Sequence, residues 1–399
     1  MPTFCAITFN ENPSGVYCGG QVLSGKVSLT TNRIKAIRGI YITVRGYGDV
    51  RWTEHRTRNG ANRRRVTDTV WYRAHDDYFN SRVDVLRSPD GNRFDLVPGK
   101  YEYNYQILLP SELPSSFNGQ YGTVRYEVIC TIDRPWKFDN VFKHPFTIIR
   151  PLDFNQATIY MQPVERQETK QFSRIFCCGH GGEIYIKGSI PVGGFVPGQT
   201  IPVSAFVKNL ARVSCYETNA CLVQTVEYRS YTPHRKSRFE VTPVTLNLFG
   251  PLEKYEEKEL SCNLCIPAIA PTSLNSCNII EVSYYVEIQL KTRGLHSNMT
   301  VKLPVTIGTI PYFYNYNAMD TSVPTTSRGA VTPDAPPAYE EAIKLGPVYS
   351  TNDEQDQYMQ NVDFLPRYPV YNFANGTGIQ PDNTAPAITT QPTETKEKY

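Results

Sequence analysis

The sequence predicts an all-β protein: two tandem β-sandwich domains followed by a disordered C-terminal tail. Three observations carry that expectation. Among 399 residues there are 27 tyrosines and 30 prolines but only 5 methionines, a balance that favours strands and turns over helices. Short runs alternate apolar and polar residues, as in Ile40-Tyr41-Ile42-Thr43-Val44-Arg45 and in Val124, Tyr126, Val128, Cys130 and Ile132. Period-two patterns separated by Gly, Pro and Asn describe strands with one buried face. The third observation is an internal repeat.

The first domain is expected over residues 1–150, where strand follows strand and no segment holds a helical period. Residues 151–314 repeat its pattern in the same order. Tyr17-Cys18-Gly19-Gly20-Gln21-Val22-Leu23 is matched by Phe195-Val196-Pro197-Gly198-Gln199-Thr200-Ile201. Lys100-Tyr101-Glu102 returns as Lys254-Tyr255-Glu256, and Val124-Arg125-Tyr126-Glu127-Val128 as Val282-Ser283-Tyr284-Tyr285-Val286. Three matches in register argue for two related sandwiches, with Arg150-Pro151-Leu152-Asp153 as the hinge.

The tail, residues 315–399, is poor in aliphatics and rich in Thr, Pro, Asn and Asp, too little apolar surface to fold alone. It holds 11 acidic and 5 basic residues, a net −6 within a chain of net +3, so the body carries +9. Within it lies Pro336-Pro337-Ala338-Tyr339, the PPxY pattern read by WW domains. Adjacent prolines pre-form a polyproline turn, so little entropy is lost on docking into an aromatic-lined groove, and the tyrosine enters a neighbouring pocket. The following Glu340-Glu341-Ala342-Ile343-Lys344-Leu345 is expected to make a helical turn stopped by Gly346-Pro347. A second aromatic-proline island, Phe364-Leu365-Pro366-Arg367-Tyr368-Pro369-Val370-Tyr371, carries Arg367 where PPxY requires a proline. Two readings of it stay open: a peptide that docks back or elsewhere, and an idle piece of tail.

Other features bound the function. The loop from Arg51 to Arg65 concentrates Arg56, Arg58, Arg63, Arg64 and Arg65. Guanidinium forks suit bidentate contact with phosphate or carboxylate, so phosphorylated or acidic peptides or anionic lipids compete with the plain reading of a solvated hairpin. No stacking aromatics accompany the loop as nucleic-acid binding requires. The six histidines are scattered, and no catalytic motif of the Gly-x-Ser-x-Gly, phosphate-loop or HExxH kind is present. No enzymatic activity and no cofactor are expected. Cys262-x-x-Cys265 and Cys277 are read as thiols rather than a metal site, because no second pair has ligand spacing. Cys177-Cys178 are either plain thiols or acylation sites. Ten irregularly spaced cysteines without a leader at Met1 point to a reducing, cytoplasmic location, where the acceptor patterns at Asn298 and Asn375 carry no meaning. The uncharged runs 188–207 and 261–280 are broken by proline and polar residues, unlike spanning helices.

The chain also resembles a known family. Tyr17-x-x-Gly20-Gln21-Val22-x-x-Gly25-x-Val27, Ile40 through Gly46 leading to Trp52-x-Glu54, and Gly99-x-Tyr101-x-Tyr103-x-Tyr105-x-Ile107-Leu108-Leu109-Pro110 look like an N-terminal arrestin domain. So do Leu113-Pro114-Ser115-Ser116-Phe117-x-Gly119-x-x-Gly122-x-Val124-Arg125-Tyr126 and Arg134-Pro135-Trp136. Gly194-Phe195-x-Pro197-Gly198 and Ile280-x-Val282-x-Tyr284 resemble the C-terminal arrestin domain, and the Pro336–Ala342 stretch resembles the tail motif of the alpha-arrestins. The resemblance implies immunoglobulin-like, arrestin-type sandwiches and a cytoplasmic adaptor recruited to plasma membrane and endosomes. Its implied partners are the cytoplasmic tails of receptors or transporters and, through Pro336, Pro337 and Tyr339, a WW-domain HECT-type ubiquitin ligase, so that cargo is ubiquitinated and endocytosed. The alternative is a non-catalytic sorting scaffold of retromer-like type, which would lack the WW ligand. Family members often carry a second PPxY, and Arg367 departs from that pattern.

Overall fold

The computed structural model describes residues 3–10, 12–59, 65–88, 90, 92–173, 180–294, 296–312, 337–343 and 364–373. In the first domain the strands are β1 (Phe4–Phe9), β2 (Val16–Cys18), β3 (Val22–Thr31), β4 (Lys35–Ile37), β5 (Gly39–Asn59), β6 (Arg65–Arg87), β7 (Phe94–Leu96), β8 (Gly99–Leu108), β9 (Phe117–Asn118), β10 (Gly122–Asp133) and β11 (Asn140–Ile149). They form a sheet ordered β1-β3-β8 facing a sheet ordered β2-β11-β10-β5-β6, with β9 paired to β10 and a small β4-β7 ladder. The facing layers bury Leu23, Val27 and Leu29 against Ile42, Val44, Tyr126 and Val128, the inward half of each alternation.

A linker containing a single 3₁₀ turn, Thr158–Met161, leads to the second domain. Its strands are β12 (Val164–Ser173), β13 (His180–Ile190), β14 (Gly194–Phe195), β15 (Thr200–Asn209), β16 (Cys215–Ser230), β17 (Lys236–Leu252), β18 (Glu257–Cys265), β19 (Ile280–Thr292) and β20 (Met299–Ile307). The sheets run β12-β13-β15-β18 and β14-β20-β19-β16-β17.

The repeat read in the sequence is a repeat of topology. β2 runs parallel to β11 as β14 runs parallel to β20. Both repeats open on the same turn. Gln21 N–H donates to Cys18 O and Gln199 N–H to Val196 O, and each glutamine side chain accepts from the first residue of its turn. The third positions, Gly20 and Gly198, have φ of 80° and 92°, a region that L side chains avoid. Both repeats also close on a buried tyrosine: Tyr126 donates to Pro114 O at 2.6 Å and Tyr284 to Ala270 O at 2.7 Å.

The two sandwiches share one contiguous core. Across the junction Tyr78 meets Cys277, Tyr121 packs edge-on against Tyr228, and Arg238 lies over the Tyr121 ring at 4.0 Å. Burial pushes the Tyr78, Tyr121-facing Tyr228 and Tyr126 phenols up, so all three stay neutral hydroxyls.

One expectation fails here. The stretch from Arg51 to Asn59 is strand, not loop. β10 pairs with β5 only as far as Val50, and beyond it β5 and β6 continue as a two-stranded ribbon to the pair Asn59 and Arg65. Charged residues at alternate positions read as a solvated loop, yet past the buried Trp52 and Tyr72 they suit a ribbon arm with both faces exposed.

Candidate functional site

The tail motif lies on the body. Pro336 is outside the described residues. From Pro337 the chain enters strand β21 (Ala338–Glu341), antiparallel to β22 (Arg367–Val370), with Ala338 opposite Val370, Tyr339 opposite Pro369, Glu340 opposite Tyr368 and Glu341 opposite Arg367. The expected helical turn after Tyr339 is therefore corrected for residues 338–341. A four-residue helix start is intrinsically weak, and here the backbone is claimed by β22 instead. Ala342 N–H donates to Pro366 O, and Ile343 N–H donates to Ala268 O on the second domain. The described tail pieces add order that composition does not announce.

β22 is the anchored partner. Pro366 and Pro369 hold it extended, and Tyr368 is 2% exposed, its hydroxyl donating to Ser116 O at 2.9 Å. Tyr371 donates from its hydroxyl to Thr309 O at 2.7 Å and from its amide to Pro197 O at 3.1 Å. Its ring joins Phe154 and Val196 in a second apolar cluster, and burial pushes its phenol up to about 12. Arg367 donates from its amide to Thr147 Oγ1 and from its guanidinium to Ser14 O, and pairs with Glu341 at 3.5 Å. Ser14, Ser116 and Thr147 belong to the first domain, Pro197 and Thr309 to the second. The island at 364–371 is thus a strap across the domain junction, which decides between its two readings.

Tyr339 is held less deeply, at 43% exposure, with burial raising its phenol beside Cys18 and Tyr371. All four β21 residues are exposed. Beneath the strap a cavity of about 650 Å³ is lined by Arg125, Glu127, Lys143, Glu341, Leu365 and Arg367 among others. Glu127 is buried at its wall, accepting from Tyr47 Oη at 2.7 Å and pairing with Arg45 at 3.2 Å. Burial and the Glu127 charge together push the Tyr47 phenol far above its usual range.

The arginines occupy the other edge of the same sheet. Arg56 and Arg58 are exposed on the β5 arm of the ribbon. Arg56 donates to Tyr72 Oη at 3.3 Å, and Arg58 pairs with Asp68 at 2.7 Å. Arg63 and Arg64 fall outside the described residues, and Arg65 starts β6. The base of the ribbon is clasped by the β16–β17 turn: Trp52 stacks on Tyr72 at 5.2 Å, Lys236 pairs with Glu54, and Arg73 exchanges backbone hydrogen bonds with Tyr231 and Thr232. The structure brings Tyr339 and the aromatic island together on one ladder, while the described contacts of Arg56 and Arg58 are to Tyr72 and Asp68. Tyr368 and Tyr371 are the residues that sequence reasoning left unassigned; the signal was their proline spacing in an otherwise polar tail.

Cys262 and Cys265 are three residues apart on β18, so they point to opposite faces and cannot share a ligand. Among the described residues no group of three His, Cys, Asp or Glu is placed to hold a metal ion, and no helix is long and apolar enough to cross a membrane. Cys177 and Cys178 lie outside the described residues.

Comparison with known proteins gives the same architecture. Residues 5–155 match the family model for Arrestin (or S-antigen), N-terminal domain, and residues 180–312 that for Arrestin (or S-antigen), C-terminal domain. The chain is 27% identical over 313 residues to Arrestin domain-containing protein 17 of Caenorhabditis elegans, covering 76% of this chain and 70% of that one. It is 27% identical over 341 residues to Arrestin domain-containing protein 1 of Rattus norvegicus, covering 84% and 72%. With Arrestin domain-containing protein 4 of Homo sapiens it shares 27% identity over 349 residues, covering 84% and 80%. With both arrestin domains present in chain order and these relatives spanning both, the chain belongs to the arrestin-domain-containing, or alpha-arrestin, family.

Proposed function

We propose that the protein is a non-catalytic adaptor linking membrane cargo, such as receptors or transporters, to a WW-domain HECT-type ubiquitin ligase. Captured cargo would then be ubiquitinated, internalised and sorted at endosomes, with the adaptor moving from cytoplasm to plasma membrane and endosome. The observation that carries this reading is a PPAY tyrosine on an exposed strand at the surface of a two-sandwich arrestin body. The exposed Arg56 and Arg58 on the ribbon, with Arg63, Arg64 and Arg65 close by in the sequence, supply the grip on acidic or phosphorylated cargo tails or on anionic headgroups.

A single short motif buries few side chains and binds one WW domain only at about micromolar strength. Useful recruitment then requires cargo and ligase to be held at once. The test is capture of WW-domain ligases by the full chain beside Tyr339→Ala. Loss of capture in the variant supports the adaptor; equal capture, or none by either, removes PPAY as the recruiting element. Phosphorylation of Tyr339 should also abolish capture, because a phosphate cannot enter an aromatic pocket without desolvation.

A further inference from the structure

We propose that residues 364–373 are an intramolecular competitor of WW domains: strand β22 holds Tyr339 on the body, and PPAY becomes readable only when β21 peels away. This rests on the WW-ligand reading of PPAY given above.

The Tyr339 backbone is paired opposite Pro369, within a four-residue ladder followed by the hydrogen-bonded Ala342 and Ile343 amides. A WW groove wraps both the prolines and the tyrosine ring of its ligand. A backbone hydrogen-bonded along β22 cannot also lie in a groove that wraps it, and the paired edge leaves no approach for a groove on that side. Docking in cis and docking in trans therefore exclude each other.

The two strands are unequally held, which makes the arrangement a gate rather than a permanent lock. β22 is pinned by Tyr368 and Tyr371, each buried and hydrogen-bonded to a different domain. β21 is exposed along its length. Beyond the ladder it is held by the Ala342 and Ile343 amides and by the Glu341–Arg367 pair, an exposed ion pair of small worth. β21 is the strand that leaves. Its closed state reduces apparent affinity by the fraction of chains that are open, and a short exposed ladder sets that reduction at about tenfold.

Because β22 bridges Ser14, Ser116 and Thr147 of one sandwich to Pro197 and Thr309 of the other, a change in the angle between the domains pulls the strap off register. Cargo that alters the domain junction would thereby expose the ligase motif, so that recruitment follows loading.

The experiment measures, by calorimetry, binding of one recombinant WW domain of the PPxY-binding class to four ligands. They are the free peptide of residues 332–345, the full chain, full-length Tyr368→Ala, and a full-length Glu341→Cys/Arg367→Cys double variant. Glu341 and Arg367 are direct cross-strand partners, at a spacing a disulfide spans, and neither lies within the four-residue motif. The full chain should bind about tenfold more weakly than the peptide, and Tyr368→Ala should return to within about twofold of it. The oxidised double variant should lose binding and regain it on reduction, a reversible readout that a folding defect cannot imitate. A peptide and full chain that bind equally, or an oxidised variant that binds like its reduced form, overturns the strap while leaving the ligand reading intact. A free peptide that binds no WW domain overturns that reading and this inference together.

Discussion

Gly20 and Gly198 occupy the same position of the same turn in the two repeats, and they offer a matched pair of substitutions. Each lies at positive φ, so alanine there costs about 1–2 kcal/mol of backbone strain at either site. Their surroundings differ. A Cβ on Gly20 meets nothing within 4 Å, whereas one on Gly198 would lie 2.0 Å from the Tyr371 carbonyl oxygen. Backbone cannot yield as a side-chain tip can, so Gly198→Ala must displace the end of the strap. The Tyr371 amide then loses Pro197 O and its hydroxyl loses Thr309 O, each worth about 1 kcal/mol net. Gly198→Ala should therefore cost about 2 kcal/mol more than Gly20→Ala, unless the strap's whole docking free energy is smaller than that. Urea midpoints at constant m-value measure the difference, and hydrogen exchange at Tyr371 locates it. In a chain ending at residue 363 the difference should vanish. Equal losses in the full chain, or a difference that survives the truncation, would refute the reasoning.

Three other outcomes are expected. Tyr126→Phe and Tyr284→Phe each leave a buried carbonyl without its hydroxyl donor and should cost about 1–2 kcal/mol; Tyr284→Phe should cost more, since Gln224 Nε2 donates to the Tyr284 hydroxyl oxygen at 2.6 Å and loses its acceptor too, as read from denaturant midpoints. His75 is held above its usual pKa first by its hydrogen bond to Asp49 and then by Asp77. Its contribution to stability is therefore full below about pH 6.5 and is lost as pH rises through the raised value, a dependence that NMR titration should locate and that His75→Gln should flatten. Arg56→Ala/Arg58→Ala should change stability by no more than about 0.5 kcal/mol, because both side chains are solvent-facing, while weakening salt-dependent binding to anionic vesicles or phosphorylated peptides.

Much of the fold was legible because alternation is a local signal. Residues 200–209 read apolar at every second position and bury Ile201, Val203, Ala205 and Val207. The Gly-Gln stretches at residues 17–23 and 195–201 were legible as a repeat, and the structure shows that each is a turn with glycine at positive φ. The arginine arm reads as loop because residues 55–58 are exposed on both faces of the strand and so display no apolar alternation. PPAY was visible as a motif, but its conformation was not. Glutamates after the tyrosine favour a helix start on local grounds, and the pairing that overrules them comes from Arg367–Val370, more than twenty residues downstream.

From the sequence alone follow the strand content, the duplicated domain, the acid–base division between tail and body, and the presence of a PPAY motif. Each is written in neighbouring residues or in composition. Only the tertiary structure decided that the two sandwiches share a core, that Tyr368 and Tyr371 reach opposite sides of the junction, and that β21 pairs with β22, Tyr339 opposite Pro369. The strap's contacts join positions far apart in the chain, 252 residues between Tyr368 and Ser116 and 353 between Arg367 and Ser14. No local pattern encodes such a meeting, because it depends on two separately folded surfaces presenting their carbonyls to one short strand.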